Sequence, residues 1–159
     1  MFLSSLATGL VSVVLLSMSV PAAPAVQAKP AAGARTIEIV GTDDMKYSVT
    51  TIDAKPGETL RVRLTAKGAL PKIAMAHNFV LLKLGAKQID FANAAAMARE
   101  TDFIPPAMKD QVLAATTTAG AGETVEITFK VPAAPGSYPY MCTFPGHFAA
   151  GMKGTLVVK

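Results

Sequence analysis

Two stretches of this chain alternate apolar and polar residues without a break, and that alternation constrains the fold more than any other feature. In Leu60-Arg-Val-Arg-Leu-Thr65 the apolar side chains fall at every second position, and Val125-Glu-Ile-Thr-Phe-Lys-Val131 repeats the pattern. Successive side chains of a strand point to opposite faces, so each segment predicts a strand with one buried and one wet face. Further strands are expected at Thr36–Val40, Tyr47–Ile52, the apolar run Phe79-Val-Leu-Leu82, Gln111–Thr118, Tyr138–Cys142 and Thr155–Lys159. Turn signals separate them: Gly41-Thr-Asp-Asp44, Pro56-Gly57, Ala119-Gly-Ala-Gly122 and Pro132–Gly136. Seven or eight short strands punctuated in this way imply an all-β fold, an antiparallel sandwich or barrel. The period changes only at Lys87–Arg99, where Ile89, Phe91, Ala92, Ala95 and Ala96 suit a short amphipathic helix that Pro105-Pro106 cannot continue.

The 159 residues suffice for one domain with its own core. Phe2–Val20 carries no charge and is followed by Pro21-Ala-Ala-Pro-Ala-Val-Gln-Ala28. Residues 1–28 therefore read as an export signal cleaved after Ala28, or as an uncleaved membrane anchor, since the apolar stretch is long enough to span a bilayer. Residues 29–35 read as a flexible leader and 36–159 as the folded domain. The net charge of +4 comes without a dense basic run, which argues against nucleic acid as a partner.

One short segment concentrates the chemistry. Cys142 is the only cysteine and His147 one of two histidines; four residues separate Cys142 from His147 and four more separate His147 from Met152. A lone cysteine makes no internal disulfide, and with His and Met beside it a metal-ligand role is favoured over a free thiol or an intermolecular bridge. Thiolate and thioether favour Cu(I), and two His with one Cys and a weak axial Met describe a blue-copper electron-transfer site. The second histidine is His77, 65 residues before Cys142. Zinc is less suited, because its structural sites rarely use a thioether. Tyr138, Tyr140 and Cys142 share one face of their strand by period two, which aims the thiol into the interior.

Three blocks, Gly41-Thr-Asp-Asp-Met45, Leu70-Pro-Lys-Ile-Ala-Met-Ala-His-Asn-Phe79 and Cys142-Thr-Phe-Pro-Gly-His147 followed by Met152-Lys-Gly-Thr-Leu156, resemble in sequence and order those of the cupredoxins, nearest the azurins and auracyanins. The resemblance covers roughly residues 35–159 and implies a Greek-key sandwich with the helical segment as a flap, read as a lid on one side of the barrel. It implies a single type 1 copper on His77, Cys142, His147 and Met152. It further implies that Asn78 ties the two ligand segments together, that the Phe144 N–H bonds the sulfur, and that the Ala76 carbonyl stands where a fifth contact occurs in azurins. The His147–Met152 spacing is one residue longer than in azurins and matches auracyanins.

The leading functional reading is a monomeric electron carrier, diffusible or tethered, serving periplasmic or membrane redox proteins such as cytochromes. These would dock at an apolar patch of Met45, Leu70, Met75, Phe144, Pro145, Phe148 and Ala149 around the His147 edge, as in the family. Copper storage or delivery is a second reading. Enzymatic turnover is not expected, and no catalytic residue is assigned, because an enzyme of the copper nitrite reductase kind needs histidines this chain lacks.

Overall fold

The computed structural model describes residues 33–159, so the export or anchor segment over 1–28 lies outside the described residues. Nine strands and one α-helix follow in the order β1 (Arg35–Thr42), β2 (Lys46–Tyr47), β3 (Thr51–Ala54), β4 (Thr59–Lys67), β5 (Val80–Leu82), α1 (Gln88–Ala95), β6 (Val112–Ala115), β7 (Thr124–Lys130), β8 (Gly136–Met141) and β9 (Lys153–Val158). They form two sheets, β2-β1-β4-β7 and β3-β9-β8-β5-β6. The expected sandwich is present, but it is not wholly antiparallel: β1 pairs in parallel with β4, and β3 with β9. Alternation fixes which face a residue occupies and leaves strand direction open, so this difference was not legible in the pattern.

The alternating strand β4 shows how the sequence builds the sandwich. Leu60, Val62 and Leu64 are fully buried against the other sheet, while Arg61 and Arg63 lie on the outer face. Arg63 stands in register between Glu38 of β1 and Glu126 of β7 and pairs with them at 2.9 and 3.4 Å. Exposed pairs of this kind contribute only about 0.2–1 kcal/mol each; the inner face carries most of the stability.

Phe79-Val-Leu-Leu82 is apolar throughout because it is covered on both sides. Phe79 and Leu81 join Tyr47, Tyr140 and Leu156 between the sheets, whereas Val80 and Leu82 face a second cluster with Met141, Phe91, Ala95 and Phe103. The helical insertion thus caps the outer face of β5 and β8, and Phe91 and Ala95 supply the buried side of α1.

Several boundaries differ from the sequence reading. Arg35, expected in the leader, opens β1 and its guanidinium pairs with Glu58 at 2.6 Å. The single strand expected at Tyr47–Ile52 is two, because β2 pairs with β1 and β3 crosses to β9 in the other sheet. At the break the Ser48 hydroxyl accepts the Val40 N–H at 2.8 Å, replacing a ladder bond. Helix α1 stops at Ala95 and is followed by a 3₁₀ turn at Arg99–Thr101. Pro106–Gln111, after the proline pair, forms a second 3₁₀ turn, since the fixed φ of proline suits a helical first turn even where it ends the preceding one.

Gly154 of β9 leaves room for the Tyr140 phenol of the neighbouring strand β8. A methyl group there would fall 2.2 Å from the phenol Cζ and 2.6 Å from the Thr50 carbonyl. Without it, the Tyr140 hydroxyl reaches the Val49 carbonyl at 2.7 Å. Gly154→Ala is therefore expected to destabilise the fold by about 1–3 kcal/mol, the usual cost of overpacking, read as a lowered denaturation midpoint with unchanged slope.

Candidate metal centre

His77 reaches the site from a loop that is pinned as it enters β5. Its N–H donates to the Ala119 carbonyl at 2.9 Å and its carbonyl accepts the Ala119 N–H at 2.7 Å. Cys142 follows the last residue of β8, and the ligand loop beyond it is closed at the neck by Cys142 N–H to Met152 C=O, 3.1 Å. Inside the loop the Met152 N–H returns to the His147 carbonyl at 2.9 Å. The spacing of the three residues is thus the spacing of one closed loop.

The fold brings together what 65 residues of sequence separate. One donor atom each from His77, Cys142 and His147 lie within 4.8 Å of one another. Cys142 Sγ is 3.4 Å from His147 Nδ1, and the two imidazole centroids are 5.0 Å apart. With metal–ligand bonds of about 2.0–2.3 Å, two donors on one ion stand roughly 3–4 Å apart, and the Cys142–His147 pair falls in that range. Exposure is 1% for His77, 2% for His147 and 0% for Cys142 and Met152, so all four candidates are shielded from water. The Met152 methyl lies beside the His77 ring over Gly41, where a Cβ would come within 2.9 Å of both.

Burial has left these groups short of partners. His77 Nδ1 has no hydrogen-bond partner, and an unpaired buried nitrogen is costly unless something else satisfies it. Burial pushes the Cys142 thiol up to about 12, against the opposing pull of the Asn78 and Phe144 backbone N–H groups. Burial, helped by the nearby His77, pushes His147 down to about 4. His77 is lowered by burial and partly restored by Asp43. Two neutral imidazoles, an orphaned nitrogen and a soft sulfur suit one copper ion, which offers the positive charge that the thiolate needs.

Asn78 links the segment that carries His77 to the one that carries Cys142. Its Oδ1 accepts the Thr143 N–H at 2.8 Å and its Nδ2 donates to the Thr143 hydroxyl at 2.7 Å. The Ala76 carbonyl is 3.9 Å from Cys142 Sγ. Sequence reasoning missed the Tyr47 hydroxyl, which donates to the Asn78 carbonyl. It also missed Thr116, whose hydroxyl accepts the Phe79 N–H at 3.0 Å. Neither residue carries a local signal, because Tyr47 acts from the other sheet and Thr116 from the neighbouring strand, each remote in sequence.

Residues 35–159 match the family model of copper binding proteins of the plastocyanin/azurin kind. The chain belongs to this family. This cupredoxin is 36% identical to auracyanin-B of Chloroflexus aurantiacus over 79% of its own length, and the match spans about half of that relative, 52%. It is 35% identical to the azurin of Pseudomonas denitrificans, covering 78% of this chain and 98% of the azurin. The solved structure of auracyanin A, a "blue" copper protein of Chloroflexus aurantiacus, superposes with a TM-score of 0.71 at 36% identity, covering 80% of this chain and all of that one (100%). In this cupredoxin, as the geometry shows, His77, Cys142 and His147 are positioned to bind one copper ion.

The pKa directions fix how the metal-free protein responds to pH. Both histidines are depressed in the folded state, so their contribution is present above the ordinary value of 6.5 and lost as pH falls toward the His147 value of about 4. The Cys142 thiol is raised, so its contribution is present below the ordinary 9.0 and lost as pH rises toward about 12. Stability of the metal-free form is expected to be greatest between those limits and to fall on the acid side by up to about 1.4 kcal/mol per pH unit for each imidazole. Denaturant titrations across pH check this; a flat acid limb would contradict it.

Proposed function

We propose that this chain is exported and carries single electrons as a monomer, and that His77, His147, the Cys142 thiolate and the Met152 thioether would hold one type 1 copper. It is a small blue-copper electron-transfer protein. The observation that carries the ligand assignment is the convergence of three buried donors within 4.8 Å around a nitrogen that nothing else satisfies.

When bound, copper supplies a one-electron Cu(I)/Cu(II) couple whose two states prefer different geometries. The protein residues supply the compromise between them. His77 is fixed through both its backbone groups, the Cys142 loop is closed at its neck, and Asn78 links the two segments through Thr143. Donors held this way move little when charge changes, and the Asn78 and Phe144 N–H groups draw charge from the sulfur and favour the reduced state. The buried donor set favours a carrier over a delivery protein, whose cargo must leave. Both histidines of the chain lie in one cluster, which supports a carrier over an enzyme with a second histidine-bound copper.

Redox proteins such as cytochromes would approach over His147. Phe144 packs on that imidazole with centroids 4.9 Å apart. Leu70, Pro145 and Ala149 are exposed, and Met45, Met75 and Phe148 are half-buried. Lys153 lies 4.8 Å over the Phe148 ring and gives that rim a positive charge. A small apolar patch of this kind suits brief encounters, which bury less than about 1,200 Å².

Adding Cu(II) to the purified domain is expected to give an intense visible sulfur-to-copper band and to release about one proton per ion, from Cys142, because both imidazoles are already neutral at pH 7. Cys142→Ser should abolish the band; a colourless wild-type protein, or colour in the serine variant, would refute the ligand set. His147→Gly is expected to open the site to added imidazole and to slow electron exchange with partners by about tenfold or more. Unchanged colour and rates would remove His147 from the site. Ready loss of metal to chelators on reduction would favour delivery instead.

A further inference from the structure

The end of the helical insertion contains a strained turn. Asp102 and Phe103 are consecutive residues with φ of 56° and 60°, and neither is glycine. Aspartate tolerates the left-handed region, but a bulky phenylalanine there is an outlier that persists only where the surroundings over-determine it. The turn is held locally by Asp102 N–H to Arg99 C=O at 3.1 Å and Phe103 N–H to Ala98 C=O at 2.9 Å. The Thr101 hydroxyl adds a bond to the Ile104 carbonyl at 2.7 Å.

The outward connections of this turn lead to both imidazoles. The Asp102 carboxylate accepts the Thr118 hydroxyl at 2.7 Å and the Thr118 N–H at 3.3 Å. Thr118 precedes Ala119, the residue whose backbone fixes both main-chain groups of His77. The Asp102 carbonyl accepts Asn78 Nδ2 at 3.3 Å, from the residue that follows His77 and that stands opposite Thr118 next to the His77–Ala119 bridge. Phe103 is buried and meets the Phe144 ring edge-on at 5.1 Å, and Phe144 in turn packs on His147 at 4.9 Å. The left-handed conformation makes these contacts compatible, because it turns the chain so that the carboxylate faces Thr118 while the next ring enters the core beside Phe144.

We infer that Asp102 and Phe103 are positioning residues for the metal centre: Asp102 ties together Asn78 and Thr118, the two residues next to the His77–Ala119 bridge, and Phe103 backs His147 through Phe144. The helical insertion is then the outer support that keeps the two imidazoles at a fixed separation, in addition to a cover for β5. The consequence for electron transfer rests on the copper reading given above, whereas the clamp itself is a property of the polypeptide.

Asp102→Gly tests this without backbone strain, since glycine accepts φ of 56° freely and only the carboxylate is lost. In the metal-free variant, amide hydrogen exchange at His77, Thr118 and Ala119 is expected to accelerate by about tenfold or more while β4 and β7 keep their protection. In the Cu(II)-loaded variant the spin-resonance spectrum and the reduction potential should shift. Asp102→Asn, which keeps one acceptor for Thr118, should restore most of both. Phe103→Leu should disturb the His147 ring resonances more than those of His77. Unchanged exchange at the three amides, or a uniform rise that includes β4 and β7, would overturn the clamp. So would an unaltered spectrum and potential in a glycine variant that has lost only thermal stability. If the wild-type protein took up no copper, the carrier reading would fail while the exchange measurements still decided the clamp.

Discussion

The structure depends on a conflict between burial and charge at four side chains. Removing two imidazoles, a thiol and a thioether from water holds the first three in their neutral forms and leaves His77 Nδ1 without a partner. In a protein of marginal stability such an arrangement persists only if the rest of the fold carries its cost. A cation placed among the donors reverses the conflict, because the thiolate then gains a counter-charge and the orphaned nitrogen a bond. Selectivity follows from the donors themselves: soft sulfur and neutral nitrogen in a dry site suit copper better than the hard oxygen-seeking ions.

The sandwich bears that cost through its core. Phe79 and Tyr140, with tilted rings 4.9 Å apart between the sheets, stand just after His77-Asn78 and two residues before Cys142 in the chain. The candidate donors therefore lie where one buried strand begins and another ends, and their backbones are tied to those strands. Asn78 is the junction: its side chain links to Thr143 and the Asp102 carbonyl, and its own carbonyl receives the Tyr47 hydroxyl. Four segments distant in sequence meet at this one residue. Ligand positions set by such a junction resist displacement by a change of metal charge, which is the physical requirement for rapid one-electron exchange.

Much of this was legible beforehand. The period-two runs around Leu60–Leu64 and Val125–Phe129 gave the inner faces, because the pleat forces alternation. The Cys142, His147 and Met152 spacing marked the loop that carries the candidate donors, because those residues lie within a single turn-closed segment. Strand direction and the division of Tyr47–Ile52 between two sheets were not legible. Each depends on which distant strand supplies hydrogen bonds, and no local pattern carries that information. Tyr47, Asp102, Phe103 and Thr118 went unnoticed for the same reason, since each acts only through a residue remote in sequence.

By itself, then, the sequence determined the chemistry: which donors exist, that there is one set of them, and that two sulfurs and one imidazole share a loop. Tertiary structure alone decided that His77 joins them, because loop closure across 65 residues is an outcome of sheet pairing and core packing. It decided as well how tightly they are held. Donor identity resides in covalent structure, while donor separation and dryness arise only when the chain excludes water around all of them at once.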